Sequence, residues 1–147
     1  MAGLPHDPEW SQGDRRWEAN LRHACLLCLS ETVKGAAEGA SRDMMAKSIS
    51  HADRGIECLR QIIPDTPPAT EADKDVRQRY QDDIRLLADT LGWKNVAHAV
   101  RLELHEALDA INESLALVPN PALRKSRAML IESMKRGKGV AKRTQKR

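Results

Sequence analysis

Apolar residues recur every three or four positions along most of this chain, the spacing of helices that each bury one face. The clearest run is Met45, Ile49, Ala52, Ile56, Leu59 and Ile63, a coiled-coil-like seam. It predicts a helix over 41–63, capped by Ser41 or Asp43. Pro64, Pro67 and Pro68 stop it, because proline removes a backbone donor and clashes with the preceding turn. Ahead of it, Ser11 and Asp14 stand at capping-box spacing and open a first helix. Its inner face reads Trp17, Leu21, Ala24, Cys25, Cys28 and Thr32, and the glycine-flanked stretch 35–39 closes it. A third helix opens at Thr70, with Asp73 at capping-box spacing, and buries Val76, Tyr80, Ile84, Leu87 and Leu91. Gly92 serves as its stop, since glycine accepts a left-handed backbone. After the link 93–95, a fourth helix carries Val96, Val100, Leu104, Leu108, Ile111 and Leu115 and ends near Val118, before Pro119. Asn120 caps a fifth with Pro121 in its first turn. That helix presents Leu123, Met129, Leu130 and Met134 and dissolves at Gly137 and Gly139.

No segment alternates with period two, so the pattern predicts an all-α fold. The expected architecture is a bundle of four long antiparallel helices, arranged as two helical hairpins, with a shorter fifth helix and a basic C-terminal tail. Residues 1–13, with Pro5, Pro8 and Gly13, read as a flexible arm, 14–134 as the bundle and 135–147 as the tail.

Composition narrows the kind of core and partner. The 147 residues fit one domain, and with no Phe, one Tyr and three Trp the core must be aliphatic. No run approaches the roughly 18–20 apolar residues of a membrane span, and no apolar segment follows the N-terminus, so neither a membrane protein nor a secretory signal is expected. Three cysteines, an odd number, point to a reducing compartment, with the cytoplasm as default. The net charge of +3 conceals a division. Seven basic residues and no acid lie in 135–147, which leaves 17 basic against 21 acidic residues, a net −4, in the rest. An acidic body and a cationic tail call for different partners.

A faint internal repeat bears on architecture. Ala52, Ile56, Leu59 and Pro64 share their spacing with Ala107, Ile111, Ser114 and Pro119. The second copy, over 106–121, resembles the second helix of a tetratricopeptide repeat, although the copies stand 55 residues apart against the family's 34 or so. The resemblance implies small residues where helices approach closely, and a hairpin stack whose surface binds proteins.

Chemistry-bearing residues are sparse. Cys25, Cys28 and His51 could converge if the first two helices fold back on each other, with Cys58 about 10 Å away. Three ligands fall short of the four of a structural zinc site, so no metal is expected and the cysteines read as small apolar residues. The group His98, Arg101, Glu103, His105 and Glu106 reads as a charged helix face. Arg16 and His23, with six residues between them, resemble the Arg–His pair of some helical ribonucleases. There is no glycine-rich phosphate loop, no Gly-x-Ser-x-Gly and no His-Glu-x-x-His, so neither an enzyme nor a cofactor or small-molecule substrate is expected. The stretch 87–93 resembles the first helix and turn of a helix-turn-helix pivoting on Gly92. Its second half departs from that motif, with His98 and Arg101 where aliphatic anchors belong.

The cationic C-terminus is the strongest functional signal. Lys135, Arg136, Lys138, Lys142, Arg143, Lys146 and Arg147, extended by Arg124, Lys125 and Arg127, suit a phosphate backbone. No aromatic residue is interleaved for base stacking, and no apolar anchor for a membrane. Beside the second helix's seam, Ser48, His51, Gly55 and Cys58 form a small-residue stripe, the expected interface for a protein partner or a second copy in a dimer. The expectation is therefore a small non-enzymatic adaptor that binds a protein through a helical face and an anionic partner, nucleic acid first, through its tail. The alternatives are a DNA-binding regulator using the Gly92 turn, and a helical nuclease or metal-binding bundle.

Overall fold

The computed structural model describes the backbone of residues 12–33 and 38–145, and side chains over 13–33 and 39–137. The described residues form five helices and no strand: α1 (Gln12–Thr32), α2 (Glu38–Ile62), α3 (Lys74–Val100), α4 (Leu104–Leu117) and α5 (Pro121–Gln145). The fold is the all-α bundle that the periodicity predicts. None of these helices is long and apolar enough to cross a membrane. Of the arm expected over 1–13, residues 12 and 13 belong to α1, and 1–11 lie outside the described residues.

Helices α1 and α2 form one hairpin, α3 and α4 the second, and α2 packs against α3 to join them. Long-range polar contacts set the register. Arg16 meets Asp83 and His23 meets Thr90, both 67 residues apart, so α1 and α3 run parallel, side by side. Arg60 of α2 reaches Glu113 of α4 at 2.6 Å on the opposite layer. The repeat in the sequence now has a geometric meaning. Ala52, Ile56 and Leu59 on α2 and their counterparts Ala107, Ile111 and Ser114 on α4 are all buried. Each set lies on the second helix of its hairpin, and the small residues allow close approach. Ser114 donates its hydroxyl hydrogen to the Ala88 carbonyl of α3 at 2.8 Å, which satisfies a buried polar group within the contact. The core is aliphatic, built on Leu26, Met45, Leu59, Leu91 and Ile111.

α2 begins at Glu38, so Ser41 and Asp43 stand inside it instead of capping it. Two further helix ends depart from the expected positions. First, α3 does not stop at Gly92 but runs on to Val100. Gly92 has a job in packing instead, because Leu123 of α5 seats against it, 3.6 Å from where a Cβ would stand. The stop is a Schellman motif ten residues later. The Glu103 N–H donates to the His98 carbonyl at 2.9 Å and the Leu102 N–H to the Ala99 carbonyl at 3.0 Å. Leu102 occupies the left-handed position usually held by glycine, with φ of 62°. Side chains fix this turn. Glu103 accepts from His98 Nδ1 and Arg101 Nε, while Arg101 also donates to the Arg42 carbonyl at 2.7 Å. A turn at Gly92 is therefore overturned, and with it the helix-turn-helix. The helix expected over 96–118 shrinks to the 14 residues of α4, and Val96 and Val100 point outward from the end of α3.

Second, α5 continues through Gly137 and Gly139 to Gln145. A single glycine costs a helix interior only about 1 kcal/mol relative to alanine, and the flanking Lys, Arg, Ala and Gln favour helix. The N-caps of α3 and α5 come out closer to expectation. Asp73, rather than Thr70, caps α3 by accepting the Asp75 N–H at 2.8 Å, and Asn120 caps α5 by accepting the Leu123 N–H at 3.2 Å.

The continuous α3 yields a prediction. Gly92→Ala places its methyl at ordinary contact distance from Leu123 and removes a glycine from a helix interior. Stability in urea should rise by up to about 1 kcal/mol. A left-handed turn at this residue would give a loss instead.

Candidate nucleic-acid interface

Helix α5 carries Arg124, Lys125, Arg127, Lys135, Arg136, Lys138, Lys142 and Arg143 against one acid, Glu132. Its continuity to Gln145 turns this composition into geometry. The triad Arg124, Lys125 and Arg127 recurs as Lys135, Arg136 and Lys138, 11 residues later. Eleven residues are three turns to within about 20°, so both triads occupy the same face. Lys142 and Arg143 fall on it again, two turns after Lys135 and Arg136. The result is a cationic stripe about 29 Å long, at 1.5 Å per residue. Leu123, Leu130 and Met134 fall on the neighbouring face and are partly buried.

Where described, the cations are accessible. Arg124, Lys125, Lys135 and Arg136 are exposed. Arg127, also exposed, donates from Nε to the Asn112 Oδ1 of α4 at 2.7 Å. That contact sets the antiparallel register of α4 and α5, and α4 begins eight residues before Asn112. From about residue 135 onward α5 therefore extends past α4, for about 15 Å. The side chains of Lys138, Lys142 and Arg143, and the whole of Lys146 and Arg147, lie outside the described residues.

The small-residue stripe does not form an outer surface. Ser48, Gly55 and Cys58 are buried and His51 is partly buried, with Gly55 and His51 directly against α1. A Cβ on Gly55 would stand 3.4 Å from the Arg22 Cβ and 3.7 Å from the Ala19 carbonyl oxygen. Close helix approach was the right physical inference, but the neighbour is α1 rather than another molecule. The reason lies in α1, whose strongest apolar pattern points the other way. Trp17 is 65% exposed, and Leu21, Ala24 and Cys28 on the same face are exposed too. What α1 turns inward instead includes charge.

Glu18 lies inside the α1–α2 contact, 6% exposed, gripped by Arg54 through Nε at 2.8 Å and a second nitrogen at 3.2 Å. Arg22 adds a longer bond at 3.4 Å. The Arg54 hydrogen bonds hold the Glu18 carboxyl below its ordinary range, outweighing its burial. Arg22 also donates to His51 Nδ1 at 3.0 Å. Since guanidinium can only donate, His51 must be the neutral tautomer with its proton on Nε2. Burial and then the Arg22 charge push its pKa down. Burial likewise raises the Cys58 thiol, leaving it an inert neutral group.

Arg16 and His23, the pair resembling a ribonuclease motif, both serve the α1–α3 contact. Arg16 clamps the Asp83 carboxylate with two bonds of 2.8 Å. Thr90 spends its hydroxyl hydrogen on the Leu86 carbonyl, so its oxygen accepts from His23 Nδ1 at 3.0 Å. His23 thus carries a proton on Nδ1, and burial chiefly lowers its pKa, against the opposing pull of the Asp89 charge. Arg101 holds the α3–α4 turn, and His105 is exposed. Among the described residues no three of His, Cys, Asp and Glu come together as metal ligands. Cys25 is half-buried, Cys28 exposed and Cys58 buried.

These groups set an acid sensitivity. The unfolded chain protonates its histidines near 6.5, while folded His23 and His51 resist, so stability falls as pH drops below that value. Glu18 adds stability above the ordinary carboxylate range that is lost as pH falls through its depressed folded value. Both act in the same direction. Unfolding free energy should rise from about pH 4 to pH 7, in two stages, and a His23→Gln/His51→Gln variant should lose the upper stage.

Known proteins add no further constraint: no family model, curated protein or solved structure matches the chain.

Proposed function

We propose that this chain is a non-enzymatic, cytoplasmic interaction protein whose α5 binds the phosphate backbone of nucleic acid, while the outward face of α1 receives a protein partner. The cationic stripe of α5 carries this reading. Eight basic residues to one acid on a single helix, repeated at 11-residue spacing on one face, offer a charged edge for a phosphate array. The stripe lacks aromatic residues, which favours backbone contact without base readout. Trp17, Leu21, Ala24 and Cys28, spaced by four, three and four, give α1 the seam of a helix-pairing surface. They replace Ser48, His51, Gly55 and Cys58 as the protein-binding face.

Fluorescence anisotropy with labelled mixed-sequence RNA and duplex DNA tests the first part. The full chain should bind both without preference for one sequence, and a chain lacking residues 135–147 should lose most of that binding. Unchanged binding by the shortened chain, or a single preferred sequence, would sink the reading.

A further inference from the structure

A groove of about 690 Å³ opens between α2 and α4 over α3, within the size range of small-molecule sites. Ile49, Ile56 and Leu91 give it an apolar floor. Its walls carry Asp53 and Glu57 from α2 and Glu106, Asp109 and Glu113 from α4. No local sequence pattern links the two sets, because only the fold brings α2 and α4 to one opening. The lining Lys94 and Arg60 are already matched, Lys94 by Asp53 at 2.7 Å and Arg60 by Glu113 at 2.6 Å. What is left is negative. Glu57 shares Arg54 with Glu18, and Glu106 and Asp109 are exposed, with no hydrogen bond or ion pair among the described residues.

A buried group in the same groove points to a ligand independently of that charge. His98 lines the α3 wall and is only 8% exposed. Its Nδ1 lies 3.0 Å from Glu103 Oε1, and a carboxylate can only accept, so Nδ1 carries the proton. In the neutral ring Nε2 is then an acceptor, and no described side chain donates to it. An acceptor so little exposed calls for a donor from outside the chain. No three of these groups converge as metal ligands among the described residues, and an anion would meet the unmatched acids. We propose that the groove binds an aliphatic polyamine. Its ammonium groups donate to Glu106, Asp109 and His98 Nε2, and the methylenes between them lie on Ile49, Ile56 and Leu91. Glu106 and Asp109 are three residues apart on α4, a rise of about 4.5 Å, which suits ammonium groups joined by a short methylene chain. The Arg60–Glu113 bridge runs from α2 to α4 and bars one end of the groove. The site therefore suits a ligand that ends inside it rather than a peptide that passes through.

Calorimetric titration of the full, nuclease-treated chain with spermidine at near-physiological salt tests this, with amide and histidine side-chain chemical shifts to locate the site. Saturable binding at one site is expected, with shifts gathered at 53–57, 94–98 and 106–113 and on the His98 ring nitrogens. Glu106→Gln/Asp109→Asn alters only exposed residues and should weaken binding by about 10-fold, since each exposed pair contributes up to about 1 kcal/mol. Asp65→Asn/Glu71→Gln removes the same charge from the exposed α2–α3 connection and should leave binding unchanged. Ethylenediamine, with less hydrocarbon to lay on the floor, should bind more weakly than spermidine. Equal losses in the two variants would mean a diffuse attraction of cations to acidic surface, and would overturn the inference. So would an absence of binding, shifts confined to other faces, or a basic peptide that fills the groove where spermidine does not. None of these outcomes bears on the nucleic-acid reading, which rests on α5.

Discussion

Replacing Arg54 with alanine should destabilise the protein by about 3 kcal/mol, because it leaves the buried Glu18 carboxylate with the longer bond to Arg22 and the weak Cys58 thiol contact. The cost follows from where the charges lie. Arg54 supplies two of the three guanidinium bonds to Glu18, and both side chains are withdrawn from water between α1 and α2. Removing one member leaves the other desolvated, whereas replacing both with leucine should be close to neutral or stabilising. Urea unfolding at neutral pH, with the two single variants and the double variant, measures this as a double-mutant cycle. Single variants that each lose less than about 1 kcal/mol would mean that water reaches the pair and that it is an ordinary surface bridge. The Arg16–Asp83 clamp obeys the same logic at the α1–α3 contact, with Arg16 less buried than Arg54.

This buried charge also explains where sequence reading succeeded and failed. The seam of α2 was legible because its apolar residues form one stripe on an otherwise polar helix, and Met45, Ala52, Ile56 and Leu59 are indeed buried. The proline stops and the Asn120 cap were legible because each acts through its own backbone neighbours. In α1 the rule inverted. A helix with apolar residues on two faces offers no local criterion for which turns inward, and here Glu18 and Arg22 go in while Trp17 and Leu21 face out. Only the partners Arg54 and His51, on another helix, make that arrangement tolerable. The end of α3 was illegible for a similar reason. Glycine marks the left-handed position because it is cheap there, but side-chain bonds from His98 and Arg101 to Glu103 hold Leu102 in that conformation. Gly92 and Gly137 as stops misplace the ends of α3 and α5, and with the first the start of α4, and they hide the 11-residue repeat of cations, which has meaning only on an unbroken helix.

Truncation after Met134 should abolish most nucleic-acid binding, and here the expected effect is the largest of all. It removes seven basic residues and no acid, and leaves Arg124, Lys125 and Arg127 as the remaining cations of α5. Each phosphate neutralised releases condensed counterions, so affinity should fall steeply with salt. If most of the cations engage, the full chain should lose about 1,000-fold or more in affinity for duplex DNA between about 50 and 200 mM salt. The truncated chain, with three cations, should be both weaker at every salt concentration and far less salt-sensitive, with a slope of log affinity against log salt no steeper than about −3. Both proteins should remain folded and similar in stability, because α5 beyond Met134 extends past α4. The most direct measurement is therefore that slope for the two chains on one labelled duplex. A slope of about −6 or steeper for the full chain that flattens on truncation is the result predicted by a cationic helix lying along phosphates. Equal slopes for the two chains would contradict it.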